Sequence, residues 1–298
     1  MTSPPIFRFA PSPTGLLHLG HAFSALYAFN TAMAAGAEFL LRIEDIDHTR
    51  CRPEYVAQIL DDLSWLGLKW AEPVRHQSEH MGDYARALKK LEALGITYPC
   101  VASRNEIRAE VERRSGLDNA ARDPDGALIY PGIYRDRKDD EIAKMMASGA
   151  PACIRLNMAK AIERVGGNLT FQEKGSGSQG EHGKVLCRPQ IWGDVIIARK
   201  EVPTSYHLSV VVDDALQGVS EVTRGEDVFY ATAIHRLLQV LLELPEPDYN
   251  HHRLIKDETG RRLSKSAADK SLKALRREGI TLEELLVIIN SEKHLAKD

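Results

Sequence analysis

The sequence predicts an α/β protein built on a parallel sheet, and three observations lead there. Short apolar runs alternate with segments of helical period through the first hundred residues, a strand–helix–strand spacing that calls for right-handed crossovers. A loop over residues 10–17 with Gly15 separates the first strand from the first helix. The alternation then resumes after residue 190. A length of 298 residues suits one or two domains with a core that needs no disulfide staple. With 43% hydrophobic and 27% charged residues, collagen-like, low-complexity and wholly disordered chains are excluded.

Ile6-Phe7-Arg8-Phe9 reads as the first strand. An alanine-rich helix over residues 19–35 stops at Gly36, a residue suited to the left-handed position after a helix. Residues 39–43 (FLLRI) form the next strand and run into the carboxylates Glu44, Asp45 and Asp47. Pro53 fits the first turn of a helix that gathers Val56, Ile59, Leu60, Leu63 and Leu66 on one face. Another helix spans about 79–94 and closes at Gly95, and residues 97–102 look extended. From 103 to 190 the texture changes. Ser103 and Glu106 make a capping box, a turn follows at residues 123–126, and strands fall near 154–157 and 169–171. Residues 175–183 (GSGSQGEHG) read as the most flexible part of the chain. This stretch reads as an α+β insertion between two halves of one sheet. Strands then follow at 195–197 and 219–224, a helix at 229–244 before Pro245, and a strand at 253–255. A loop at 257–266 and two short helices complete the chain, the second opened by a Thr281/Glu284 capping box.

Lys and Arg total 39 against 42 Asp and Glu, a net charge of −3, so a uniformly basic nucleic-acid-binding coat is excluded. Cys51, Cys100, Cys153 and Cys187 are scattered without a CxxC, as in a reduced cytoplasmic protein. The N-terminus lacks the pattern of a signal peptide, and no run reaches the ~20 apolar residues of a membrane span. A soluble cytoplasmic protein, and a monomer, is the expectation.

Two motifs carry chemistry. RFAPSPTGLLHLGH (residues 8–21) joins the first strand to the first helix, where open α/β sheets bind ligands. Gly15 and Gly20 permit close backbone approach, and the helix start offers N–H groups to phosphate. His18 and His21, three apart, can point to one side as phosphate donors; alone they could equally be a surface pair or half a metal site. Far away, RLSKS (residues 262–266) places Lys265 on a loop, where it could neutralise developing phosphate charge or simply be solvated.

Together these segments resemble the HIGH and KMSKS signatures of class I aminoacyl-tRNA synthetases. LLRIEDID (residues 40–47) and VVVDDALQGVSEVTRGEDV (residues 210–228) narrow the resemblance to the glutamyl-tRNA synthetase group. The likeness covers nearly the whole chain and is weakest over 103–190. It implies a Rossmann-type catalytic domain, with its first half at 1–102, an acceptor-binding-like insertion at 103–190 and its second half at 191–245. A KMSKS-loop and short helical segment would then occupy 246–298. Only 32 residues follow Ser266, fewer than a helical anticodon-binding domain needs, so the chain is most similar to the truncated glutamyl-Q tRNA(Asp) synthetases. That family activates L-glutamate with ATP and Mg2+, without tRNA, and transfers it to queuosine in the anticodon of tRNA(Asp). The alternatives are a compact synthetase that charges tRNA(Glu) and a non-catalytic glutamate sensor.

Carried over position by position, the resemblance implies that Arg8, Ala10, Ser12, Glu44, Tyr206 and Arg224 hold glutamate, with Glu44 facing its ammonium. His18, Gly20, His21, Arg262, Ser264 and Lys265 would hold ATP, with His18, His21 and Lys265 catalytic. Arg8 could instead pair with Glu44, and Tyr206 could be a packed core residue. Asp213, Asp214 and the run 225–227 fall near the same site by motif, although Asp227 could simply cap the next helix. The family commonly builds a zinc site from Cys-x-Cys and a downstream Tyr-Pro-Gly-x-Cys. Here two thiolates are replaced, by Ala102 and Tyr134, so zinc is not expected and no metal ligand is named. Nine basic and three acidic residues between Arg253 and Arg277 give a local excess of six positive charges, suited to RNA phosphates or to a solvated face.

Overall fold

The structure is a computed structural model and describes residues 4–255 and 270–291. The chain begins with β1 (Ile6–Phe9), α1 (Leu19–Ala34), β2 (Glu38–Ile43), α2 (Pro53–Trp65), β3 (Ala71–His76), α3 (Met81–Ala93) and β4 (Thr97–Cys100). It continues with α4 (Arg104–Ser115), α5 (Asp139–Ala147), β5 (Cys153–Leu156), α6 (Met158–Val165), β6 (Thr170–Glu173), β7 (Gly183–Leu186) and β8 (Ile196–Ala198). The described residues end with α7 (Tyr206–Leu216), β9 (Glu221–Gly225), α8 (Thr232–Leu242), β10 (Asp248–His252), α9 (Leu272–Arg277) and α10 (Leu282–Ser291).

Strands β1, β2 and β3 pair in parallel, in that order. A second sheet has the order β7-β6-β10-β9, with β10 parallel to both β6 and β9 and only β7 reversed. The two sheets meet where β1 lies beside β9. The Ser220 N–H donates to the Ile6 carbonyl at 3.0 Å, and the Ile6 N–H donates to Ser220 Oγ at 2.9 Å. Further along the same strands Arg8 Nη1 donates to the Thr223 carbonyl at 2.9 Å, so β1 and β9 run in one direction. From β1 the chain crosses through α1 to β2 on one side. From β9 it crosses through α8 to β10 on the other. The carboxyl ends of β1 and β9 therefore open at a topological switch point, where such sheets place ligands.

Helix α1 packs closely because its inner face is alanine: Ala22, Ala25, Ala28 and Ala32 are all buried. One core cluster joins Phe7, Phe9, Leu41, Ile59 and Leu63 to Leu272 and Leu285 of α9 and α10, so the C-terminal helices fold back onto the first half. A second gathers Tyr84, Leu208, Ile234 and Leu238 between α3, α7 and α8. Both predicted capping boxes form, Ser103 with Glu106 and Thr281 with Glu284.

Three expectations change. The strand read at 253–255 is instead β10, at Asp248–His252. Its sequence DYNHH is polar, yet residues 249–252 are buried because side-chain partners satisfy them, and hydropathy does not register such a strand. The segment 103–190 is shared between two sheets. Its β5 pairs antiparallel with β4 and β8, whereas the β6–β7 hairpin extends the β9–β10 sheet. Residues 175–183 read as flexible, and two of their glycines are held in close contact, while Ser176, Ser178, Gln179, Gly180 and His182 are exposed. A Cβ at Gly175 would lie 2.2 Å from the His251 carbonyl, and one at Gly177 2.5 Å from the Phe229 ring, so backbone approach explains both glycines.

Candidate active site

A cleft of about 370 Å3 opens at the switch point. Ala10 and Ser12 after β1, His18, Gly20 and His21 at the start of α1, Glu44 after β2, Tyr206 of α7, and Gly225 and Asp227 after β9 all contribute to its walls. The described residues thus bring together most of the site read from sequence. Phe23, Ser24 and His252 also line the cleft and were not anticipated. Arg262, Ser264 and Lys265 lie outside the described residues.

The two histidines of HLGH build the helix start itself. His18 is the N-cap of α1, and its Nδ1 accepts the Gly20 N–H at 3.1 Å. His21 Nδ1 accepts the His18 N–H at 3.2 Å, which closes a reciprocal capping box with imidazoles in place of the usual hydroxyl and carboxylate. The rings lie 3.9 Å apart, centroid to centroid. An Nδ1 that accepts carries no proton, so each neutral ring holds its proton on Nε2. Gly20 leaves room for this fold-back, since a Cβ there would sit 3.0 Å from His18 Cε1 and push the ring aside.

Arg8 is buried, and it pairs with Asp214 instead of Glu44. Its Nε and Nη2 donate to the Asp214 carboxylate at 3.0 and 3.4 Å. Arg42, fully buried on β2, donates to the same carboxylate at 2.8 Å, to Gln217 at 3.0 Å and to Glu44 at 3.2 Å. Burial opposes the charged form of Asp214, but Arg8 and Arg42 hold its carboxyl below the ordinary range. Glu44 faces the opposite balance: burial raises its pKa despite Arg42 and Arg8. Arg8 and Arg42 thus form a charge network with Asp214 and Glu44 beside the cleft. Asp213, next along α7, lies 3.8 Å from Arg42 Nε and is held chiefly by Arg75, Gln77 and Tyr84 at 2.8–3.0 Å. Asp227 lines the cleft and is not the N-cap of α8, which is Ala231.

Arg224 sits differently. It is 8% exposed and adjoins the cleft-lining Gly225. Its Nε donates to His251 Nε2 at 3.0 Å, Nη1 to His235 Nδ1 at 2.9 Å and Nη2 to Thr232 Oγ1 at 2.6 Å. Every one of these acceptors is neutral. Three of its five N–H groups are used, and among the described residues no carboxylate touches it. Tyr206 lines the cleft, its ring edge-on at 5.6 Å to His235, one of the Arg224 acceptors, and burial raises its phenol pKa. Tyr206 is therefore both packed and cleft-lining.

Tyr206 also walls a second cavity of about 370 Å3, lined by Asp123, Arg155, Asp194, Ser205 and His207 among others. Ser205 Oγ is buried and lacks a hydrogen-bond partner. The arginine missed by sequence reading is Arg42; its signal was a lone cation inside the apolar run LLRI.

At the family's zinc positions, Cys100 Sγ meets Tyr130 Oη at 3.4 Å, and Tyr130 Oη accepts the Tyr134 N–H at 2.9 Å. Ala102 and Cys153 pack into the same cluster, and the Arg155 guanidinium stacks 3.9 Å above the Tyr130 ring. This donor set does not fit a tetrahedral zinc site. Among the described residues no group of three or more His, Cys, Asp or Glu side chains is arranged to hold a metal. The basic C-terminal run is partly neutralised: Arg276 pairs with Asp61 and Asp62, and Lys270 with Glu278. No helix of the described residues is long and apolar enough to cross a membrane.

Residues 6–290 match the family model of class I tRNA synthetases (E and Q), catalytic domain. A glutamyl-Q tRNA(Asp) synthetase from Rhodobacter capsulatus is 46% identical over 288 residues, which cover 95% of this chain and 99% of that protein. A glutamate–tRNA ligase from Prochlorococcus marinus is 36% identical over 283 residues, but the match spans only 56% of its length. Among solved structures, the glutamate–tRNA synthetase of Elizabethkingia anophelis superposes with a TM-score of 0.77 at 25% identity, covering 96% of this chain and 61% of that one.

Proposed function

The chain belongs to the class I tRNA synthetases for glutamate and glutamine, and within them to the glutamyl-Q tRNA(Asp) synthetases; from that premise we propose how its residues divide the work. Membership makes it an ATP-dependent ligase whose substrates are glutamate, ATP and tRNA. L-Glutamate is activated as the adenylate and then passed to queuosine in the anticodon of tRNA(Asp), in the cytoplasm and by a monomer. The observation that carries the amino-acid choice is Arg224, a buried cation next in the chain to the cleft-lining Gly225, whose acceptors are all neutral. Glutamate would bring the missing carboxylate to its two remaining N–H groups. Glutamine would leave the cation uncompensated, which is costly in a desolvated site.

Glu44 receives the substrate ammonium, and Ala10, Ser12 and Tyr206 complete the glutamate pocket. Arg8, clasped by Asp214, contributes positive charge from beneath. His18 and His21 present Nε2–H donors to ATP phosphates beside the α1 N-terminus and Gly20. Arg262, Ser264 and Lys265 act on the same phosphates. Magnesium would accompany the ATP phosphates and neutralise their charge, with Glu44 and Asp227 as the carboxylates that line the cleft. Packing of Cys100, Tyr130 and Tyr134 takes the place of zinc. Elemental analysis of chelator-free protein checks this, and one tightly held zinc per chain would overturn it.

Two assays test the whole reading. Glutamate should drive ATP–pyrophosphate exchange without tRNA. Labelled glutamate should then transfer to queuosine-containing tRNA(Asp) and not to the queuosine-free form. Equal labelling of both forms would sink the queuosine assignment, and exchange that needs tRNA(Glu) would favour a compact tRNA-charging enzyme.

A further inference from the structure

Arg224 does not itself line the cleft, so it can read a substrate carboxylate only if its two remaining N–H groups are held in one fixed direction; three side chains from other elements hold the guanidinium. His251 accepts from Arg224 through Nε2, so its proton lies on Nδ1, which donates to Glu173 Oε2 at 2.5 Å. The other Glu173 oxygen accepts the backbone N–H groups of His251 and Gly175, at 2.9 and 2.8 Å. Glu173 and His251 are both completely buried, and neither lines the cleft. On the opposite side His235 accepts from Arg224 through Nδ1, which leaves its Nε2–H to donate to His207 at 3.2 Å. Burial, with Arg224 adding to it, depresses the pKa of His251 and of His207 to about 4 and lowers that of His235 well below its ordinary value, so all three rings stay neutral acceptors at physiological pH. Thr232 closes the cradle from α8.

We propose that His251, braced by Glu173, and Thr232 are positioning residues that set amino-acid specificity by aiming the Arg224 guanidinium at the substrate's side-chain carboxylate. This rests on glutamate being the amino acid activated. The arrangement follows the logic of a relay in which a buried carboxylate fixes an imidazole tautomer, here for a binding cation and not a nucleophile. It also accounts for the tight loop after β6, because Gly175 must lie against the His251 backbone for its N–H to reach Glu173.

The test is ATP–pyrophosphate exchange by the full chain carrying His251→Leu, His251→Gln or Thr232→Val. His251→Leu should raise the glutamate KM tenfold or more and narrow the preference for glutamate over glutamine, with the ATP KM and kcat within threefold. His251→Gln should stay within threefold of wild type, because an amide can accept from Arg224 and donate to Glu173. The near-isosteric Thr232→Val should raise the glutamate KM at least threefold, whether or not His251→Leu folds. Equal effects of His251→Leu and His251→Gln, a parallel rise in the ATP KM, or an unchanged glutamate KM in Thr232→Val would overturn the positioning role. Wild-type exchange driven by another amino acid and not by glutamate would instead overturn the functional reading.

Discussion

Arg8 of β1 and Asp214 of α7 clasp each other by two bonds, 206 residues apart in sequence, and Arg42 shares the same carboxylate. Asp214→Asn would leave two buried guanidiniums short of one negative charge. Removing one partner of a buried pair typically costs about 3–5 kcal/mol, so a large loss in urea-unfolding stability at pH 7 is the expected outcome. The pH dependence has a definite sign. Asp214 titrates lower in the folded protein than in the unfolded chain. Its contribution is therefore fully present above about pH 4 and lost as pH falls through the folded value. The Asn variant should show a shallower acid-side decline, and an unchanged decline would refute the assignment.

Glu44 behaves oppositely, because burial raises its pKa. As pH rises from the ordinary carboxylate range through that raised value, ionising Glu44 subtracts stability. A substrate ammonium favours the ionised form, so the wild-type glutamate KM should fall across the same interval. Glu44→Gln should raise the glutamate KM at least tenfold, remove that pH dependence and leave the ATP KM within threefold. Steady-state exchange kinetics from pH 5 to 8 decide it.

Gly20→Ala separates helix stability from catalysis. Alanine gains about 1 kcal/mol over glycine inside a helix, whereas disturbing an N-cap costs about 1 kcal/mol. These nearly cancel, so the melting temperature should hardly move. The added methyl displaces the His18 ring, 3.0 Å away, and adenylate formation should fall tenfold or more. Equal activity at equal stability would remove the folded-back ring from the mechanism.

Ala127 is exposed and borders the second cavity, away from the first. Ala127→Trp should leave tRNA-independent exchange within twofold while lowering transfer to tRNA at least tenfold, if the acceptor approaches past Tyr206. Transfer at the wild-type rate would place the acceptor elsewhere.

Much of this was legible in the residues. The β1–α1 loop, the carboxylate after β2 and the capping boxes announce themselves through local rules of turn, cap and period. What escaped is polar and buried. DYNHH has no apolar alternation, because His251 and Asn250 are satisfied by Glu173, Glu221 and Arg224 from distant strands, and no local rule sees such partners. Gly175 and Gly177 read as flexibility because a glycine needed for close approach and one needed for freedom look identical in sequence. HLGH read as a pair of phosphate ligands, and its capping geometry appears only when the backbone turns.

The hydrogen bonds between Ile6 and Ser220 close a loop of more than two hundred residues. During synthesis, a nascent chain that has not reached β9 has β1 and α1 but no opposite wall, so it can hold neither substrate. Closing such distant contacts is slow compared with forming helices, which makes the β1–β9 seam a late event in folding. Substrates can therefore stabilise only the nearly finished protein, and the edge of β1 stays exposed to wrong partners until then.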